Sequence, residues 1–240
     1  MNSLSKSDIK LVKSLEQKKF RQEHQLFKVE GVKGIEEFLN SKFELHQLYA
    51  TASVFKAPFV EISSAELSKI SSLKTPNKAV ALFKIPKYDT IEKDGLTVVL
   101  DDVRDPGNLG TIIRLCDWFG VPQILCSQET VDCHNPKVVQ ASMGSLSRVA
   151  IYYIDLYQFL SERSGNIFGT YMDGRPIYDE ILPNAGYIVF GNEAKGISPK
   201  LEEVINRRLS IPQYGNSEPT ESLNVATATA IVLNEFRRGG

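Results

Sequence analysis

The sequence predicts an α/β protein in two parts, a small α/β/α module followed by a parallel sheet covered by helices. Three observations predict it. Two continuous apolar runs, LTVVL at 96–100 and YIVF at 187–190, read as strands buried on both faces, as in a parallel sheet. Around and between them, strand-like and helical runs alternate at short spacing. Ahead of them, the polar stretch IPKYDTIEKDG at 85–95, with Pro86 and Gly95, marks a joint.

Before the joint, residues 10–19 read as a basic helix and 27–30 as a short strand. Residues 32–40 carry Ile35, Phe38 and Leu39 at helical spacing. A second strand is expected at 44–50, a short helix at 65–70, and a closing strand at 79–84. These form a first domain at 1–88. The second domain, 95–240, opens with the 96–100 strand, and a helix follows at 111–119. Further strands are expected at 123–126, 149–153, 167–171, 187–190 and 209–211. Further helices are expected at 136–143, 156–162 and 199–205. A long closing helix at 222–237 carries Leu223, Ala226, Ala230, Leu233 and Phe236 as an apolar stripe.

Composition removes several classes. A 42% hydrophobic and 24% charged chain of 240 residues suits a folded protein. No run approaches the roughly 18 apolar residues of a membrane helix, and MNSLSKSDIK has no apolar core of a signal peptide. Cys116, Cys126 and Cys133 form no CxxC pair, which suits a reducing, cytoplasmic compartment. His24, His46 and His134 are scattered with no acidic residue expected at ligand spacing, so no metal site is expected. The net charge of −1 argues against a polyanion partner only as an average. Residues 1–90 carry fifteen Lys+Arg against ten Asp+Glu, and the rest carry thirteen against nineteen. A basic module joined to an acidic one often marks a nucleic-acid contact. Lys10, Lys13, Lys18, Lys19 and Arg21 are its candidate phosphate contacts, or else a solvated helix face.

In open parallel sheets, ligands sit beyond the carboxyl ends of the strands. Three such loops stand out. In DDVRDPGNLGTIIRL, Gly107 and Gly110 permit tight turns and Asn108 is placed to cap the helix. Arg114 projects from the first helical turns, presenting a fork of donors suited to phosphate or ribose, or else pairs with Asp101, Asp102 or Asp117. In GNEAKGIS, Gly191 and Gly196 allow close backbone approach, Glu193 can accept from a sugar hydroxyl, and Ser198 is placed to cap the helix at Pro199. In IPQYGNSEPTESLNVATATAI, Ser222 is a candidate N-cap, and the small run 226–230 lets the helix pack closely against a chain crossing or a twin subunit. No GxxxxGK[ST] or GxGxxG is present, so the usual nucleotide loops are absent.

Together these segments resemble the SpoU/TrmH family of RNA ribose 2′-O-methyltransferases, within the SPOUT superfamily. The resemblance rests on Asn108-x-Gly110-x-x-x-Arg114 with DWFGV (117–121), and on ASMGSLSRV (141–149). It rests also on Gly191-Asn192-Glu193-x-x-Gly196, and on Ile211-Pro212 followed by Ser222-Leu223-Asn224-Val225-Ala226. The first domain is similar to the substrate-binding module, related to kink-turn proteins, often attached to these enzymes. The resemblance implies a deep C-terminal trefoil knot, bound S-adenosylmethionine, and a homodimer built through the C-terminal domain with the active site at the subunit interface. It implies a cofactor set of Gly191, Ile211 and Leu223, with Thr170, Asn192 and Gly196. It implies a catalytic and substrate-orienting set of Asn108, Arg114, Glu193, Ser222 and Asn224. It implies an RNA substrate, ribosomal RNA in preference to tRNA, with Arg114 also touching it. Two departures stand out: a longer, acidic spacer at 215–221, and Ala226 where a serine is common. Arginine stays protonated in proteins, so Arg114 is read as a clamp on phosphate and developing alkoxide, with Glu193 or water removing the proton. Competing readings are a non-catalytic RNA-binding or ribosome-assembly protein of the same fold, and an unrelated nucleotide enzyme such as a dehydrogenase.

Overall fold

The computed structural model describes residues 4–88, 90–215 and 222–238, and the chain divides into two compact units, each with its own sheet. The first unit comprises residues up to Lys87 together with Asp132–Arg148; the second holds Tyr88–Val131 and the chain from Val149 onward. The excursion Asp132–Arg148 is the departure from the expected boundaries. Locally it reads like any crossover between two strands, so nothing in its pattern says which unit it joins. Its helix Pro136–Ser142 buries Val138 and packs against the first strand of the first unit.

In chain order the first unit contains α1 (Lys6–Ser14), α2 (Lys18–His24), β1 (Leu26–Glu30), α3 (Val32–Leu39), β2 (Leu45–Ala50), β3 (Val60–Glu61), α4 (Ser64–Ile70) and β4 (Ala79–Lys84). The sheet order is β1-β4-β2-β3, with β4 antiparallel to both neighbours and β2–β3 parallel. Strand alternation sorts the core into two faces. Leu26, Val80 and Leu82 pack with Val12, Leu67 and Ile70 of α1 and α4. Phe27 and Phe83 meet Phe38 of α3 on the other face. Ser5 and Ser63 cap α1 and α4 in reciprocal capping boxes with Asp8 and Glu66.

The basic stretch 10–19 is two helices, not one. Leu15 is fully buried at the break, and the Glu16 carboxylate turns to the Lys28 ammonium at 2.6 Å. Those inward contacts stop α1 at Ser14. Lys10, Lys13, Lys18 and Lys19 are exposed, as expected of phosphate contacts, but Arg21 is not. Arg21 is 2% exposed, donates to the Leu15 and Glu16 carbonyls, and pairs with Asp132 at 2.6 Å. A guanidinium whose donors are spent this way cannot grip RNA, so Arg21 leaves the candidate list.

Asp132 also faces His134, contrary to the expectation that no acid stands beside a histidine. The Asp132, Cys133 and His134 donor atoms lie within 4.8 Å of one another. Arg21 already sits on the Asp132 carboxylate, so this group is a buried ion cluster whose negative charge is neutralised by protein. Burial alone would raise the Asp132 carboxyl, but the bonds and charges of His134 and Arg21 outweigh it and hold it well below the usual range.

The second unit contains β5 (Leu96–Leu100), α5 (Pro106–Trp118), β6 (Gln123–Cys126), then, beyond the excursion helix counted as α6, β7 (Ala150–Tyr153), α7 (Leu156–Ser161), β8 (Ile167–Pro176), β9 (Gly186–Phe190), α8 (Pro199–Glu202), β10 (Arg207–Ser210) and α9 (Val225–Arg237). All pairings in its six-stranded sheet, ordered β10-β8-β9-β5-β6-β7, are parallel. Helices cover it as expected. Leu156, Leu160 and Leu201 of α7 and α8 pack on Val99, Val189 and Leu125, while α9 sends Phe236 onto Phe168 with ring centroids 5.0 Å apart. The closing helix starts at Val225 rather than Ser222, so its buried face is Val225, Ala226, Thr229, Val232, Leu233 and Phe236. Leu223 falls outside it and Ala230 is half-buried. Among the described residues, no helix is long and apolar enough to cross a membrane.

Removing one partner of a buried pair leaves an uncompensated charge. Arg21→Ala should therefore cost about 3–5 kcal/mol in urea unfolding; a loss under about 1 kcal/mol, the value of a surface pair, would contradict this role. The depressed Asp132 carboxyl also sets a pH limb. Its contribution is complete above the unfolded value near 3.9 and drains as pH falls below it. Asp132→Asn should lower stability at neutral pH and make the decline below about pH 4 shallower.

Candidate active site

The site is built where β5 and β9 end. They pair in parallel with Leu100 opposite Phe190, and the Asp101 amide donates to the Phe190 carbonyl at 2.9 Å. Both following loops therefore leave the same sheet edge side by side. Two bonds join them across about ninety positions of sequence. Asp101 accepts the Ser198 amide at 2.7 Å, and the Asn192 side chain donates to the Asp102 carbonyl at 2.7 Å. Asp102 adopts φ 58°, a left-handed conformation that Asp tolerates better than most residues. The Ser127 hydroxyl accepts its amide and fixes it there.

Three of the five candidate catalytic residues, Asn108, Glu193 and Asn224, meet on this frame. The Asn108 amide donates to Glu193 at 2.9 Å, and the Asn224 amide donates to the Asn108 oxygen at 2.9 Å. The Asn224 oxygen in turn accepts the Ala226 and Thr227 amides, making it the N-cap of α9. One hydrogen-bonded line thus ties the loop after β9, the start of α5 and the start of α9. Two capping expectations change. Asp105, not Asn108, caps α5, accepting the Asn108 amide at 2.8 Å, and Asn224 takes the place assigned to Ser222. Asn108 therefore keeps its side chain for Glu193 and Asn224, and Ser222 is left exposed.

Arg114 is exposed, and among the described residues it has no hydrogen-bond or ion-pair partner. Asp101 is taken by Ser198 and Asp102 by Arg104 at 2.6 Å. Because α5 starts at Pro106 rather than 111, Arg114 stands about 9 Å along the axis from Asn108, six residues at 1.5 Å each. It lies in the third turn, not the first.

The other candidates line the same edge. Gly191 is packed so tightly that an added Cβ would overlap the backbone of Gly196 and Ile197. Gly196 takes φ 71°, and its amide and carbonyl pair with Asn192. The Asn192 oxygen accepts the Ala194 and Lys195 amides, so its side chain holds the loop. Thr170 donates to the Val189 carbonyl at 3.1 Å, beside the end of β9. Ile211 follows β10, half-buried, and Leu223 is 49% exposed. Ser198 occupies an N-cap position without a side-chain capping bond. The acidic spacer expected to alter the third loop lies, from 216 to 221, outside the described residues. Sequence reasoning missed Asp101, Asp102 and Asp105 as the frame; an acid directly after a buried strand and another before Pro-Gly-Asn were the available signals.

Residues 95–234 match the SpoU rRNA Methylase family, and residues 6–81 match the MRM3-like substrate binding domain. Over 99% of this chain and 98% of the relative, it is 28% identical to the 23S rRNA (guanosine(2553)-2′-O)-methyltransferase RlmP of Bacillus subtilis (strain 168). Among solved structures, a TrmH-family chain from Porphyromonas gingivalis is 38% identical with a TM-score of 0.91, covering 99% of both chains. The AdoMet-bound rRNA methyltransferase from Sinorhizobium meliloti is 28% identical with a TM-score of 0.87, covering 99% of this chain and 98% of that one.

Gly191→Ala tests the frame. The overlap must displace the loop, so the variant should lose about 1–3 kcal/mol in thermal or urea unfolding and speed hydrogen exchange at the Gly196 amide. Unchanged exchange there would show that the loop does not depend on this close approach.

Proposed function

The chain belongs to the SpoU rRNA Methylase family, and on that premise we propose that it transfers a methyl group from S-adenosylmethionine to a ribose 2′-hydroxyl of ribosomal RNA. The observation that carries this reading is the line Asn224–Asn108–Glu193, which joins three distant segments into one polar site at the carboxyl edge of a parallel sheet. An assembly protein that had merely kept the fold would have no use for that arrangement.

The rim suits an adenosyl sulfonium ligand. Leu223 leaves a large apolar side chain exposed beside Asn224, and Gly196 has open space where a Cβ would stand. Gly191, Ile211 and Leu223 are the proposed cofactor residues, through peptide groups and apolar cover, with Thr170, Asn192 and Gly196 shaping the loops. When bound, S-adenosylmethionine supplies an electrophilic methyl group. This chain's residues do the rest. Asn108 and Asn224 hold Glu193 in one orientation, and its exposed carboxylate accepts the proton from the 2′-hydroxyl. Arg114, always protonated, clamps a neighbouring phosphate and stabilises the developing alkoxide. Ser222 offers a hydroxyl to orient the ribose.

The reading extends to topology and assembly. The C-terminal part of the second unit is proposed to hold a trefoil knot. A second copy is proposed to pair through α5 and α9, covering Trp118, which is 84% exposed on α5. The first unit is proposed to bind the RNA through Lys10, Lys13, Lys18 and Lys19, and the protein to act where ribosomes are assembled, in the cytoplasm.

Arg114→Ala should reduce methyl transfer by about 10²–10³-fold while calorimetric S-adenosylmethionine affinity is kept. Glu193→Gln should lower kcat by about 10²–10⁴-fold with little change in KM for RNA. Near wild-type turnover in either variant would remove that residue from the mechanism.

A further inference from the structure

The line Asn224–Asn108–Glu193 has a direction as well as a place. An asparagine side chain offers donors at its nitrogen and acceptors at its oxygen, and its neighbours decide which faces which way. At one end of the line stand the Ala226 and Thr227 amides in the first turn of α9, which can only donate. They take the Asn224 oxygen at 2.9 and 3.2 Å and so turn its nitrogen outward. That nitrogen donates to the Asn108 oxygen at 2.9 Å, which turns the Asn108 nitrogen to Glu193, again at 2.9 Å. At the other end stands a carboxylate, which when ionised can only accept. Both ends demand the same direction. The backbone beneath is held as well: Asp105 accepts the Asn108 main-chain amide, and the Asn192 oxygen accepts the two amides that follow Glu193.

We propose, resting on the methyltransferase reading, that Asn224 is a positioning residue that sets the hydrogen-bond direction of the active site: it passes the donors at the start of α9 through Asn108 to the Glu193 carboxylate. The consequence is chemical. The Asn224 oxygen has spent both lone pairs on main-chain amides, and the Asn108 oxygen already holds one donor. The carboxylate is therefore the acceptor at the open end of the line. A ribose hydroxyl entering there donates its hydrogen bond to Glu193 and keeps a lone pair for the methyl group. Reversing the line would set the Asn108 oxygen against the carboxylate, acceptor to acceptor, and push Glu193 out of place. Capping and direction are separable. Asp and Ser cap a helix about as well as Asn, and each can accept the α9 amides. An aspartate, though, has no nitrogen with which to donate to Asn108, and the shorter serine hydroxyl stops short of it.

The test compares Asn224→Asp and Asn224→Ser in the full chain. Asn224→Asp should keep or raise the melting temperature, because a carboxylate suits the start of a helix. It should nevertheless lower kcat about 10²-fold, the cost of misplacing a reacting group, while calorimetric binding of S-adenosylmethionine is kept. Asn224→Ser should lose less, because it releases Asn108 without reversing it. An NMR readout follows the direction itself. In nitrogen-15-labelled protein the Asn108 side-chain amide signal is identified by its loss in Asn108→Ala. That signal should move on Glu193→Gln in the wild-type background and move far less in the Asn224→Asp background, where the Asn108 nitrogen has turned to residue 224. A folded Asn224→Asp with near wild-type kcat overturns the proposal. So does an Asn108 signal that answers Glu193→Gln equally in both backgrounds. Full activity in Asn224→Ser beside a loss in Asn224→Asp assigns the loss to the added charge and overturns it too. If the wild-type chain neither binds S-adenosylmethionine nor methylates RNA, the methyltransferase reading falls, and the amide signal alone decides the direction of the line.

Discussion

The parallel pairing of β5 with β9, in register at Leu100 and Phe190, is the constraint on which the rest of the second unit depends. Parallel neighbours need long crossovers, so residues ninety positions apart begin their loops side by side. Asp101 and Asn192 then lock those loops to each other, each by its own side chain on a backbone group of the other loop. A one-residue slip would turn Asp101 to the other face and remove the Ser198 anchor. The Asn224–Asn108–Glu193 line has its geometry only because that register holds. The left-handed Asp102 and the Gly191 close approach are local strains that the same register supports.

Much of this was legible in the residues. The runs at 96–100 and 123–126 coincide with β5 and β6, because continuous apolar strands carry an unmistakable pattern. Helix starts were harder. Gly107 and Gly110 read as turn positions, yet Pro106 suits a first helical position, and Asp105 before it supplies the cap. That misreading moved Arg114 by more than a turn. Ser222 looked like a cap by type, but Asn224 competes for the same role with two amides in reach. The two-residue β3 and the extension of β8 to Pro176 carry no period long enough to detect. The allegiance of Asp132–Arg148 was invisible, because it rests on contacts made far away in sequence.

The near-zero net charge takes on a different meaning in the folded chain. In the first unit two basic side chains are withdrawn into the interior, Arg21 to Asp132 and Lys28 to Glu16 and Glu30. Counting Lys and Arg overstates what RNA can touch there. What remains is charge arranged by geometry: exposed lysines on α1 and α2 in the first unit and, in the second, an Arg114 without a partner among the described residues. Removing one partner of such a pair costs more than the pair itself contributes, because it leaves an uncompensated buried charge. On the proposed reading the exposed cations would contribute to RNA affinity in a salt-dependent way and leave stability nearly unchanged.

The most direct test of the account is where the methyl group goes. Ribosomal RNA lacking its native ribose methylation is incubated with the protein and S-adenosylmethionine bearing a deuterated methyl, then digested and read by mass spectrometry. The account predicts the label on a ribose 2′-oxygen at one nucleotide of the RNA. Label on a base, or no label from a chain shown to bind the cofactor, would contradict it.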